Sequence, residues 1–97
     1  MSTDDFTVRA FRISGRVQGV FFRVWTQELA QEMGLRGTVM NRRDGSVKAL
    51  VGGPRAAVDR FQDRLWDGPP ASSVESVEVL DSTAPVPDGP FQILPTE

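Results

Sequence analysis

The stretch GRVQGVFFRVWTQELAQEMGLRGTVMN, residues 15–41, changes its hydrophobic period twice. After a glycine-containing opening, Phe22, Trp25, Leu29 and Met33 recur at spacings of three and four, which lays one apolar stripe along a helix. Gly34 followed by Leu35 supplies a left-handed stop with its hydrophobic contact. Upstream, FTVRAFRIS (6–14) mixes β-branched and aromatic residues, with Arg9, Phe11 and Ile13 on one face and Val8 and Ala10 on the other, and reads as a strand. Downstream, LRGTVMN (35–41) and SVKALVG (46–52) flank a turn containing Asp44-Gly45, and Val47, Ala49 and Val51 share a face; this is a hairpin.

The remainder repeats the pattern. Pro54 occupies a first helical position, Val58, Phe61 and Leu65 form a second stripe, and Gly68-Pro69-Pro70 ends it. VESVEVL (74–80) alternates as a fourth strand, and FQIL (91–94), after a loop rich in proline, can add a short fifth strand at an edge. The order β-α-β-β-α-β predicts an α+β, ferredoxin-like split β-α-β sandwich, an antiparallel sheet of order 4-1-3-2 with both helices on one face. In that topology strands 1 and 2 are parallel with strand 3 between them. The loop after Ser14 and the residue Asn41 therefore meet at one edge of the sheet.

With 97 residues the chain suits one domain, expected over 6–97 behind a disordered tail over 1–5. No apolar run approaches the ~20 residues of a membrane span, and MSTDD is not followed by a signal-like apolar core. A cytoplasmic monomer with no membrane partner is the expectation. The absence of cysteine and histidine excludes disulfides, thiolate nucleophiles, zinc-thiolate sites and imidazole bases. A net charge of -2 argues against a nucleic-acid partner. Ten of the eleven basic residues are arginine, which suits bidentate phosphate recognition and equally fits a bias in genomic base composition.

The candidate chemistry lies in GRVQGV (15–20), directly ahead of the helix-opening FFRVW. Main-chain N–H groups of such a loop and of the first helical turn can converge on one point, where the helix dipole also favours an anion. Arg23 is a cation in a helix's first turn, unfavourable by ~0.3–1 kcal/mol unless something negative offsets it. A bound phosphate would do so. On these residues alone a second reading stands: an ordinary strand-to-helix turn, with Arg23 solvated or paired to a nearby Glu or Asp. Asn41, too, fits turn chemistry as well as ligand chemistry. Gln18 either braces the loop or is simply exposed. Arg42 and Arg43 attract an anion or are solvated turn residues, and Trp25, Phe61 and Trp66 are expected to pack.

GRVQGVFFR (15–23) resembles the acylphosphatase signature Gly-x-Val-Gln-Gly-Val-x-Phe-Arg, matched at Gly15, Val17, Gln18, Gly19, Val20, Phe22 and Arg23. A second family element is matched at Gly37, Val39, Met40, Asn41, Gly45 and Val47, and GPP (68–70) is also similar. Thr38 departs, standing where the family usually has an aromatic, which bears on acyl-side packing or local stability. The likeness spans about residues 6–94. It implies a ferredoxin-like fold and hydrolysis of the carboxyl-phosphate anhydride of acyl phosphates. It further implies that Arg23 binds the phosphate and that Asn41 positions the attacking water.

Combined with the residue reading, this predicts a phosphate cradle of Gly15, Arg16, Val17, Gln18, Gly19, Val20 and Arg23, which inorganic phosphate or sulfate can also occupy, with Arg23 and Asn41 as catalytic residues. No metal and no cofactor are expected, since Arg23 and the loop amides can supply the positive field. The competing expectation is a non-catalytic phosphate- or acyl-phosphate-binding regulatory module of the same fold.

Overall fold

The computed structural model describes residues 5–81 and 84–97. Its elements are β1 (Phe6–Arg16), α1 (Phe22–Glu32), β2 (Arg36–Asn41), β3 (Val47–Pro54), α2 (Arg55–Leu65), β4 (Ser73–Leu80) and β5 (Gln92–Ile93). The sheet order is β4-β1-β3-β2-β5. The four-strand order is as expected, and β1 and β2 each pair antiparallel with β3 between them. The fifth strand is present and pairs parallel with β2, Val39 opposite Ile93, so the sheet is mixed. Leu94 N–H donates to Val39 O and Glu97 N–H to Asn41 O, so the chain stays alongside β2 after β5.

Strand β1 extends two residues beyond the expected end. Its register with β4 shifts between Ser14, opposite Ser76, and Gly15, opposite Val74, so a bulge carries the strand on to Arg16. Gly15 has φ 120°, and a Cβ there would collide with the Ser73 carbonyl. Only glycine fits this crossing, for both reasons. At the other helix, Pro54 is the residue before α2 rather than its first member, with φ -59° and ψ 141°. Its ring still presets the chain for helix entry while its ψ remains that of the strand it ends.

Both helices supply one core. Phe11, Ile13, Val39, Val47, Ala49 and Val51 from the sheet pack with Phe22, Leu29, Ala30, Val58, Phe61 and Leu65 from the helices. Phe61, with its ring centre 6.1 Å from Phe11 and 6.4 Å from Phe91, ties α2 to both β1 and the chain ahead of β5. Burial of one such ring stabilises by ~1.5–3 kcal/mol. The stripe of α1 is rotated from the expected one. Thr26 and Ala30 are buried alongside Phe22 and Leu29, whereas Trp25 and Met33 lie at the margin of the core. Thr26 is admissible there because its hydroxyl donates to Phe22 O at 2.8 Å. Trp66, expected to pack, is half exposed, because it follows Leu65 at the end of α2 and points off the buried stripe.

Residues 84–90 return toward β5 past the face opposite the helices. A Cβ on Gly52 would lie 2.8 Å from Val86 Cγ2 and 3.0 Å from Phe6 Cζ, so both side chains sit over that glycine. Arg36 stacks on Phe6 at 5.1 Å and pairs with Asp88 at 2.9 Å. Residues 1–4, most of the expected tail, lie outside the described residues. Asp5 is tied in, its carbonyl accepting from Arg55 N–H at 3.1 Å. Among the described residues no helix is long and apolar enough to cross a membrane.

Candidate active site

A cavity of about 300 Å³ opens where β1 and β2 both end. Its walls are Val17, Gly19, Phe21, Phe22, Arg23, Val24, Asn41 and Ile93. Four of the predicted site residues, Val17, Gly19, Arg23 and Asn41, thus share one hollow although Asn41 is 18 positions beyond Arg23. The topology does this: the loop continues β1, Asn41 closes β2, and the two strands run parallel on either side of β3.

The loop between β1 and α1 is pinned from below and braced from the side. Val17 and Val20 are buried pegs in the core. The Gln18 amide Nε2 donates to Arg42 O at 2.7 Å and to Ser46 O at 2.8 Å, which settles its role as a brace. Gly19 has φ 75° with nothing within 4 Å of a notional Cβ, so it serves the backbone angle. Phe21 is the helix N-cap and adopts φ 64°, ψ 25°; no other described non-glycine residue has positive φ. That conformation costs an L-residue with a side chain ~1–2 kcal/mol, and such strain clusters at functional sites.

The first helical hydrogen bond is Trp25 N–H to Phe21 O, 3.0 Å. The N–H groups of Phe22, Arg23 and Val24 therefore have no partner within the helix. Phe21 offers no side-chain cap, and the first turn contains no acidic residue. Arg23 is partly buried, and among the described residues no carboxylate pairs with its guanidinium. A cation at the positive end of a helix, with uncommitted amides around it, makes a local field that favours a multiply charged anion.

Asn41 faces this field. Its Oδ1 is buried and takes no hydrogen bond from the described protein atoms. Such an orphaned acceptor is costly, by ~1–3 kcal/mol, and calls for a partner. Its main chain is held firmly, through Glu97 N–H to Asn41 O at 3.0 Å and the pairing of Asn41 with Val47. The turn that follows is fixed as well. Asp44 accepts from Ser46 N–H at 2.9 Å and from the Ser46 hydroxyl at 2.6 Å, and Arg12 pairs with it at 2.8 Å. These bonds, the Ser46 hydroxyl foremost, hold the Asp44 carboxyl down at about 2.

Some expected site residues lie elsewhere. Gly15 and Arg16 belong to the β1–β4 ladder, opposite Val74 and Ser73, and do not wall the cavity. The side chains of Gln18 and Val20 point to the hairpin turn and the core, so any contact they make with an anion is through the main chain. Thr38 is buried at 7% exposure on β2, alternating with the core residue Val39, and does not wall the cavity. Its departure from the family aromatic therefore bears on sheet packing rather than on the acyl side. Phe21, Val24 and Ile93 are walls that sequence reading did not find. The variable position of the signature, Phe21, was the available signal.

The fold and this hollow define a ferredoxin-like protein whose glycine loop and helix terminus open on the sheet edge beside an asparagine. The family model for acylphosphatase matches residues 9–93. An acylphosphatase of Rhizobium meliloti (strain 1021) is 50% identical over 88 residues, covering 90% of this chain and 93% of that protein. The crystal structure of acylphosphatase from Bacillus subtilis superposes with a TM-score of 0.83 at 36% identity, over 90% of this chain and 97% of that one. The structure of an acylphosphatase from Coxiella burnetii gives 0.85 at 32%, over 97% and 100%. The chain belongs to the acylphosphatase family.

Proposed function

We propose that the chain hydrolyses acyl phosphates to a carboxylate and phosphate, without a metal, in the cavity between the β1–α1 loop and Asn41. The N–H groups of the loop from Val17 to Val20 and the Arg23 guanidinium hold the phosphoryl oxygens. They hold them more tightly as charge spreads in the transition state, which is what lowers the barrier. The Asn41 Oδ1 accepts a hydrogen bond from the attacking water and aims it in line with the leaving carboxylate. The water's proton passes to a phosphate oxygen of the substrate, since no histidine or cysteine exists and no carboxylate walls the cavity. The carboxylate is a good leaving group and needs no general acid.

The observation that carries this reading is the buried Oδ1 of Asn41, without a donor among the described residues, in the same hollow as Arg23, with which no described carboxylate pairs. Among the described residues no group of three or more His, Cys, Asp or Glu side chains is placed to hold a metal ion, and in this reading Arg23 and the loop amides supply the positive field. Binding of inorganic phosphate or sulfate in the cradle, action as a cytoplasmic monomer, and lack of nucleic-acid or membrane partners belong to the same proposal. The test is hydrolysis of benzoyl phosphate by the chelator-treated protein, with phosphate binding measured alongside. Turnover surviving the chelator supports the proposal. Phosphate binding without turnover would instead establish a binding module.

A further inference from the structure

The cavity has walls of two kinds. Gly19, Arg23 and Asn41 are polar or expose main chain, whereas Phe21, Val24 and Ile93 are apolar and none of them is fully buried. Phe21 is 82% exposed and Val24 44%. Phe21, the N-cap of α1, and Val24, in its first turn, both wall the cavity. Ile93 faces them from β5, beside β2. Arg23 is the sole cationic side chain in these walls.

An acyl phosphate has the same two-sided character, a dianion joined to a carbon skeleton. With the phosphoryl group on Arg23 and the loop amides, the skeleton must leave the cradle along the remaining walls. We infer that Phe21 is the specificity-determining residue for the acyl group. Its ring, with Val24 and Ile93, forms an apolar shelf that prefers aromatic or larger aliphatic acyl phosphates to acetyl phosphate. A second anionic group on the acyl chain finds no cation there. The left-handed backbone at Phe21 fits this role, because it swings a large apolar side chain over the cavity mouth instead of into the core. The inference rests on the acyl-phosphate reading above.

The test compares benzoyl phosphate with acetyl phosphate in the full chain and in two variants. Phe21→Asn removes the ring while tolerating the left-handed backbone, so folding is preserved; Phe21→Leu keeps an apolar side chain. The ratio of kcat/KM for benzoyl to acetyl phosphate is expected to fall by ~10-fold or more in Phe21→Asn, the order lost with an aromatic contact, and to recover in part in Phe21→Leu. Binding of the non-hydrolysable benzoylphosphonate and acetylphosphonate is measured on the same proteins and should show the same change of ratio. A ratio within twofold of the unmodified chain in Phe21→Asn overturns the inference. Should the unmodified chain bind both phosphonates and turn over neither substrate, the hydrolytic reading fails, while the binding ratio still decides the role of Phe21.

Discussion

Gln18 is hydrogen-bonded through its side-chain amide to the main-chain carbonyl of Ser46 at 2.8 Å, and the same nitrogen reaches Arg42 O at 2.7 Å. One residue of the anion loop thus grips both ends of the turn that follows Asn41. The two halves of the candidate site, which approach from opposite sides of β3, are held in a common frame by this one side chain. Replacement of Gln18 by Ala takes one donor from each of two carbonyls that keep a main-chain donor, Gly45 N–H for Arg42 O and Arg42 N–H for Ser46 O. The expected loss is ~0.5–1.5 kcal/mol in urea unfolding, the net worth of a hydrogen bond whose acceptor stays satisfied, together with a fall in kcat as the loop and Asn41 lose their fixed spacing. Unchanged values of both would show that the contact is incidental.

Arg23→Ala is expected to lower turnover of benzoyl phosphate by at least ~10³, the lower end of what a transition-state arginine contributes. The side chain is partly buried and pairs with no described carboxylate, so thermal unfolding should remain near that of the parent. Retention of near-normal activity would remove Arg23 from the mechanism.

Asn41→Ala separates water placement from anion capture. Turnover should be abolished while the dissociation constant for inorganic phosphate changes little, because the proposed contact of Oδ1 is to water. Loss of phosphate binding on titration calorimetry would contradict that division of labour.

The two loop glycines should respond differently to alanine. Gly15→Ala sets a Cβ against the Ser73 carbonyl and the Glu75 main chain, which must shift, and a loss above ~2 kcal/mol is expected by chemical denaturation. Gly19→Ala meets open space and bears only the cost of φ 75°, on the order of 1 kcal/mol. Equal losses at the two positions would mean that the bulge has room to relax.

Asp44 gives the hairpin a pH dependence. Its folded value, about 2, lies below the ordinary 3.8, mainly through the Ser46 hydroxyl, then the Ser46 N–H and Arg12. A depressed carboxylate contributes stability that is complete above pH ~4 and is lost as pH falls toward 2. Melting temperature should therefore drop more steeply from pH 4 to 2 in the parent than in Asp44→Ala. Parallel curves would assign the acid sensitivity to other groups.

The two helices, the four main strands and their order were legible in the chain because they follow from periodicity and punctuation. Stripes at spacings of three and four, alternation in 74–80, and glycine or proline at the breaks are local signals, and each residue reports its own neighbourhood. The nine-residue match at 15–23 likewise marked the loop and Arg23 without any knowledge of distance. The rotation of the α1 stripe toward Thr26 was not legible. A hydroxyl is admitted to a core only where a nearby carbonyl accepts its proton, and here that is Phe22 O.

Other features required chain segments remote in sequence to meet. Arg16 reads as loop, yet it is strand, because β4 supplies Ser73 opposite it and a bulge absorbs the misfit. Ile93 becomes a cavity wall only when β5 docks parallel to β2. The Oδ1 of Asn41 lacks a donor among the described residues only because folding carries it into the hollow beside Arg23. A local pattern can specify which side chains are present and which way each strand or helix faces. Burial and the meeting of distant groups are properties of packing, and they emerge when the sheet and the two helices close around the core.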